Sequence, residues 1–488
     1  MKVLLSIYLI ALIGADVLRA DIHRIPRDYS SIQEGINAAA MGDTVLIAPG
    51  VYYETIDLQG KALVLGSFFL IRNDTSYIST TIIDGANRGS VVTFSGGENH
   101  TTHLIGVTVR GGSGTLRNYS GVKPFHYGGG IFCENASPTL AHLIITSNHT
   151  GGGGGIFLKN SHALLHDIDI RENSALSPIW EAPNVGGGML VWDSSPLLQE
   201  VNVSHNHCEI AGGGLYLLNS SPMFRNLSVT DNRSLQWGGG IFCDSHSRPV
   251  LINVTLAGNE AAREGGGLAV FNDAHPILFN SILWYNSTPQ VYALPGASLN
   301  SLTVAYSNAQ GGISALSGNT FLRIEWLEEN MDREPMFADM EAGKYYLQSA
   351  SPCVDTGSEY VIIEGDTLLI LSRSSYAGKA PDMGRYESVS FTVEPEATSG
   401  KLPAGGIRNY PNPFNPSTTI ELILPEAAEV KLAIYNPLGQ EVATLVEGHL
   451  PPGRHRFVWQ AETLPGGVYF YRLRSSRDVQ TRKMLLLK

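Results

Sequence analysis

Between residues 128 and 286 apolar residues come in short bursts that alternate with small or polar ones, and the bursts recur. A glycine triplet opens each unit, at Gly128, Gly153, Gly186, Gly212, Gly238 and Gly265. The steps between first glycines are 25, 33, 26, 26 and 27 residues, and the loop Ser174–Val185 accounts for the one long step. Each triplet is followed by a burst such as Ile131-Phe132-Cys133, Ile156-Phe157-Leu158 or Leu215-Tyr216-Leu217. A second burst follows, such as Leu143-Ile144-Ile145, Ile168-Asp169-Ile170 or Val201-Asn202-Val203. Period-two alternation in runs this short, rich in β-branched residues, predicts strands with one buried face. An asparagine keeps step with the triplets at Asn148, Asn173, Asn206, Asn232, Asn259 and Asn286.

Self-similarity at a period near 26 residues predicts a solenoid. Two or three short strands per coil, joined by Gly, Asn and Ser-Pro turns, predict an all-β, right-handed parallel β-helix. The asparagine column is expected to stack its amides into a ladder that closes one turn. The glycine triplets are expected at a corner too crowded for a Cβ.

The flanking pattern differs. Residues 1–20 carry Lys2, an apolar run from Val3 to Ile13 and small residues at Gly14, Ala15 and Ala20, the pattern of a signal peptide too short to span a bilayer. Ser31 with Glu34 forms a capping box that opens an amphipathic helix running to about Ala40. This helix is expected to cover the open end of the solenoid, residues 21–386. Residues 387–406 are rich in Pro, Thr, Ser, Gly and Glu and read as a linker. From 407 to 488, alternating strands separated by Pro-Gly turns predict a separate Ig-like β-sandwich.

Composition narrows the function classes. The chain has 488 residues, 53 of them Gly, with 16% charged residues and a formal net charge of −12. That balance argues against nucleic acid or anionic lipid as a partner. Nothing beyond the leader is apolar enough for a membrane span. Four cysteines are too dispersed for a disulfide framework or a zinc site; Cys133 and Cys243 share an inward column several coils apart and cannot bridge.

Candidate chemistry lies on the outward columns. After the triplets, Phe132, Phe157, Tyr216 and Phe242, with Trp192 beside them and Trp180 at the edge, form an aromatic strip able to stack sugar rings. On the second strand, Asp167, Asp169, Glu200 and Arg171 gather on adjacent coils. Carboxylates could hold calcium against an acidic sugar while the guanidinium removes a proton, or could serve glycoside hydrolysis. Solvated acids on a strand face look the same. Asp355 and Asp382 are expected to close a turn through backbone amides rather than bind calcium. No cofactor is required, and calcium remains the one ion the acids suggest. No Ser/His/Asp set and no phosphate loop is legible.

Two resemblances add to this reading. Residues 31–54, SIQEGINAAAMGDTVLIAPGVYYE, with 58–67, LQGKALVLGS, resemble the N-terminus of pectin-lyase-like parallel β-helix proteins. The words REPMFAD, YYLQSASPCVDTG and APDMGRYE resemble closing coils of the same superfamily. Residues 409–488, with YPNPFNPSTTI from Tyr410 and including YNPLGQEVATL and GGVYFYRL, closely resemble the C-terminal sorting domain of the type IX secretion system. That implies a Gram-negative source, engagement of the type IX translocon, and release or attachment at the outer-membrane surface. The fold hosts lyases, hydrolases, adhesins and spacers alike. The expectation is a surface module that binds polysaccharide or another cell-surface glycan without turnover. A polysaccharide lyase or glycoside hydrolase is the alternative, and a structural spacer a third.

Overall fold

A computed structural model describes residues 20–388 and 407–486, apart from 120, 122, 178–181, 317–319, 341–342, 364–365, 372–375, 377, 411–413, 415, 437–440, 462–466 and 476–478. The leader and most of the linker stretch therefore lie outside the described residues. The chain divides into two compact units, residues 1–390 and 391–488.

The first unit is a parallel β-helix. Each regular coil contributes one strand to each of three parallel sheets. The first sheet stacks Ile131–Glu134, Ile156–Lys159, Met189–Trp192, Leu215–Leu218, Ile241–Asp244 and Leu268–Val270 in strict register. The second stacks the eight-residue strands Thr139–Thr146, Leu164–Arg171, Leu197–Ser204, Met223–Thr230 and Val250–Ala257. The third is a ladder of two-residue strands from His149–Thr150 to Glu260–Ala261. Inward residues Ile131, Cys133, Leu140, Leu143 and Ile145, with their equivalents in each coil, fill one continuous core.

Left-handed backbone residues turn the corners. In the coils opening at Gly128, Gly153, Gly186 and Gly212 they fall seven, seven and five residues apart, as in Gly212, Asn219, Asn226 and Asp231. Asn and Asp tolerate this conformation better than other L-residues. In these four coils length varies only between the asparagine column and the next triplet, whereas the coils opening at Gly238 and Gly265 carry one more residue before the asparagine. The second corner lies inside the long strand, at His142, Asp167, Glu200, Asn226 and Asn253. It resets the alternation, so Leu140 and Leu143 both face inward. Gly154 shows why its triplet tolerates no side chain: a Cβ there would sit 2.3 Å from the Gly187 carbonyl oxygen of the next coil.

The asparagine column is a buried ladder. Oδ1 of Asn206 accepts both the backbone N–H and the Nδ2 of Asn173, each at 3.0 Å, and the relation repeats from Asn148 to Asn286. A serine ladder runs at another corner: Ser161 N donates to Ser194 Oγ, Ser194 N to Ser220 Oγ, and Ser220 N to Ser247 Oγ. Buried backbone donors at turns are thus satisfied by the next coil.

Helix α1, Ile32–Ala38, caps the N-terminal end with Ile32 and Ile36 on the core, and its capping box is complete. It stops short of Ala40 because Ala39 is extended and Lys61 Nζ takes the freed carbonyls of Ile36, Asn37 and Ala39. All four cysteines are free and buried.

In the second unit, Ile407–Tyr410, Ser417–Leu424 and Gly453–Gln460 form one antiparallel sheet. Glu441–Leu450, Ala428–Tyr435, Gly467–Ser475 and Val479–Leu486 form another. Ile420, Leu432, Trp459, Tyr471 and Met484 from both sheets share one core, which makes the unit a β-sandwich.

Candidate functional site

The first outward face is not the open platform its composition suggests. Phe132, Phe157 and Phe242 do point away from the main core, as the alternation requires. They are nevertheless 0%, 0% and 3% exposed. The segments before each triplet fold back over them and build a second apolar cluster with Tyr127, Ala182, Val185 and Ala211. The hairpin of Thr115–Arg117 and Phe125–Tyr127 closes one end. There the Arg117 guanidinium lies 4.7 Å from the Phe132 ring centre, and Tyr119 packs on Phe157 and Trp192.

The expectation of sugar stacking on Phe132, Phe157 and Phe242 is therefore corrected: burial of these rings is worth more than a wetted platform. Trp192 and Tyr216 are half-buried. Lys159 Nζ already occupies the Trp192 face at 4.0 Å, and Tyr216 stacks on Phe242 while its hydroxyl donates to Asp244 at 2.6 Å. Trp180 lies outside the described residues. The signal that could have revealed the cover was the apolar residue before four of the six triplets, Tyr127, Val185, Ala211 and Trp237.

The outer face of the second sheet is different. Its early coils are covered by two short helices, α2 (Phe69–Arg72) and α3 (Ser76–Thr80). The Phe69 ring lies 4.5 Å from His142, and Thr108 Oγ1 donates to the Ile78 carbonyl. Its late coils are covered by residues 382–386. Arg385 Nη1 donates to Ser228 Oγ at 2.8 Å, its backbone N–H to Thr255 Oγ1 at 3.0 Å, and Asn253 Nδ2 to the Asp382 carbonyl. Between these covers the face on Leu164–Arg171 and Leu197–Ser204 stays open and polar, with His166 and Asp167 exposed and Asp169, Arg171, Gln199, Glu200 and Asn202 partly so.

The four candidate catalytic residues all meet on this face, each engaged with a neighbour. Arg171 Nε donates to Asp169 Oδ2 at 2.8 Å and Nη1 to Glu172 at 3.1 Å. Asn202 Nδ2 donates to the other Asp169 oxygen at 2.9 Å and Ser228 Oγ–H to Asn202 Oδ1, so a chain of polar groups crosses three coils to Arg385. Glu200 accepts from Asn226 Nδ2 at 2.6 Å. Asp167 and Glu200 sit at the left-handed corner rather than on a flat strand. The hydrogen bond from His142 at 2.6 Å holds the Asp167 carboxyl below its ordinary range, despite partial burial that pushes the other way. A general acid needs the opposite shift.

Among the described residues no group of three or more His, Cys, Asp or Glu has the geometry to hold a metal ion. Asp355 Oδ1 accepts the Lys379 N–H, and Asp382 Oδ1 and Oδ2 accept the N–H groups of Asp355 and Ser388, so both aspartates bind backbone amides in the closing segment.

Comparison with known proteins bears on the architecture. No curated protein matches the chain. Among solved structures, the enzymatically active domain of bacteriophage CBA120 tailspike protein 4 is similar at 12% identity and TM-score 0.30, over 93% of this chain and 64% of that one. A pectin methylesterase in complex with a hexasaccharide is similar at 13% identity and TM-score 0.21, over 62% of this chain and 80% of that one. This chain thus spans less than two thirds of the tailspike domain, and likeness at this level carries no activity across. Family models match residues 106–332 as a right handed beta helix region and residues 408–487 as a secretion system C-terminal sorting domain. The protein is accordingly a right-handed parallel β-helix carrying a type IX sorting domain, exported by that secretion system.

Proposed function

We propose that the protein binds a polysaccharide along the open polar face of its second sheet and does not cut the polymer backbone. The observation that carries this reading is the gap between two covers. The helices α2–α3 and residues 382–386 shield the same outward face on either side, and the coils bearing Asp169, Arg171, Gln199, Glu200 and Asn202 are left accessible between them. Planar amides, carboxylates and a guanidinium at strand spacing suit the hydroxyls of successive sugar units, each hydrogen bond being worth roughly 0.5–1.5 kcal/mol net. Export past the outer membrane puts such a face where glycans are.

Backbone cleavage fits less well. Asp169 is neutralised by Arg171, and the Arg171 guanidinium is shared between two carboxylates rather than poised as a base. Asp167 is held ionised, so it cannot act as the proton donor of glycoside hydrolysis.

Affinity electrophoresis of the full-length protein in gels containing acidic or neutral polysaccharides tests the proposal. At least one polymer should retard it. The paired change Arg171→Ala with Asn202→Ala should weaken that retardation at least tenfold, about 1.4 kcal/mol. Trp192→Ala, on the covered face, should leave it unchanged. Retardation unaltered by the paired change, or absent on every polymer, overturns the reading.

A further inference from the structure

We propose that Ser301, His275 and Asp273 form a hydrolytic site for acyl esters at a corner of the late coils, apart from the polar face and independent of what that face binds. The sequence hides the set because Ser301 comes from the coil after Asp273 and His275. The fold brings them together. His275 Nδ1 lies 2.7 Å from Ser301 Oγ, and His275 Nε2 lies 3.1 Å from Asp273 Oδ1.

The chemistry of the partners fixes the ring. An ionised carboxylate only accepts, so the imidazole hydrogen sits on Nε2 and Nδ1 is left bare towards the serine hydroxyl. Either ring nitrogen can act as the base when the other is held protonated by an orienting acid. His246 Nδ1 lies 2.8 Å from the second oxygen of Asp273. With His275 it holds that carboxyl below its ordinary range, so Asp273 stays ionised. Ser301 pairs in parallel register with Arg323 of the following coil, whose guanidinium is engaged with Glu325 at 3.3 Å and leaves the serine hydroxyl to His275. His275 and Ser301 are both partly exposed.

The reaction balances with the ester and water alone. Ser301 Oγ attacks the carbonyl carbon, its proton passes to His275 Nδ1, and the carbonyl electron pair moves to oxygen. Collapse expels the alcohol, which takes the proton from His275, and leaves an acyl-serine. Water, deprotonated by the same nitrogen, attacks the acyl carbon; the bond to Ser301 Oγ breaks, the imidazole returns the proton to that oxygen, and the carboxylic acid leaves. A site on the outside of a coil suits an acyl group protruding from a large molecule, such as an O-acylated glycan, whose backbone would stay intact.

The test uses the full-length protein with a fluorophosphonate probe and with p-nitrophenyl acetate. Peptide mapping should find the phosphonate on Ser301. Ser301→Ala and His275→Ala should each lower ester turnover at least 100-fold, in keeping with loss of a nucleophile or its base. Ser221→Ala, an exposed serine three coils before Ser301 in the same column, should change neither readout. Asp273→Asn, which positions rather than reacts, should lower kcat while KM holds. Circular dichroism and melting of each variant separate lost chemistry from lost fold. A folded protein that takes no label, takes it elsewhere, or keeps its turnover as Ser301→Ala overturns the assignment. None of these outcomes touches the electrophoretic reading of the polar face.

Discussion

Two outer faces of the same coils have opposite fates. Both are built by period-two alternation, and both project side chains away from the main core. Over the first sheet the projecting residues are Phe132, Phe157, Leu190 and Phe242, and the chain returns to bury them. Over the second sheet the equivalent positions on the middle coils are Asp169 and Asn202, and coverage resumes only at Ser228, beneath Arg385. The direction of a side chain is a local property set by the strand. Its exposure is decided by where the longest and least regular segment of each coil goes. An apolar face recruits that segment, because each covered phenylalanine removes of order 150–250 Å² from water. A polar face offers no such gain.

The sharpest way to break this contrast is to truncate one residue on each face. Phe157→Ala should destabilise the β-helix unit by about 3–5 kcal/mol, the cost of a large cavity in a true core. Asn202→Ala should cost less than about 1 kcal/mol, as surface changes do. Urea unfolding followed by intrinsic fluorescence gives both numbers. Equal losses at the two positions would mean that the first face is no second core.

The next effect belongs to the ladder, which both faces share. Asn206→Ala removes the acceptor for the Asn173 backbone N–H and side-chain amide, and the donor to the Ile170 carbonyl. Leaving such buried groups unpaired should cost about 2–3 kcal/mol, read from the same urea midpoints. Asn206→Asp keeps the acceptor but buries a carboxylate oxygen against the Ile170 carbonyl and Asn232 Oδ1, and should cost at least as much at pH 7.

This ladder also marks how far the sequence is legible. The matching of Asn173 to Asn206 is a contact between equivalent positions one coil apart, and periodicity reports such contacts directly. The fold class, the inward columns and the sorting domain follow from patterns of that kind. The cover over Phe157 is not legible in the same way, because Val185 and Ala211 reach it from segments that vary in length. The left-handed corner at Asp167 and Glu200 was missed for another reason. Asp and Glu there look like ordinary strand residues until the backbone angle is known. Arg385 meets Ser228 across 157 residues, and no repeat encodes that contact.

The smallest effect separates open from covered surroundings by sign rather than size. Asp167, on the open face, has its folded pKa lowered from 3.8, chiefly by the His142 hydrogen bond. Its contribution is present above the unfolded pKa and is lost as pH falls through the folded value. Asp231 lies beneath Tyr345, whose hydroxyl donates to it at 2.7 Å, yet burial outweighs that bond and raises its pKa from 3.8. Its contribution is present below the unfolded pKa and is lost as pH rises through the folded value. At pH 7 the ionised Asp231 is therefore a cost and the ionised Asp167 a small gain. Asp167→Asn should destabilise slightly at pH 7, and Asp231→Asn should stabilise, since the amide oxygen still accepts from Tyr345 and asparagine suits the left-handed backbone there. Each change should stay under about 1 kcal/mol because solvent screens exposed pairs. The Asp231→Asn effect should shrink as pH falls below the unfolded carboxyl pKa, and the Asp167→Asn effect only as pH falls through its lowered folded value. Melting temperatures across pH 3–7 read the difference, and a shift of the same sign for both variants would mean that the closing segment does not shield Asp231.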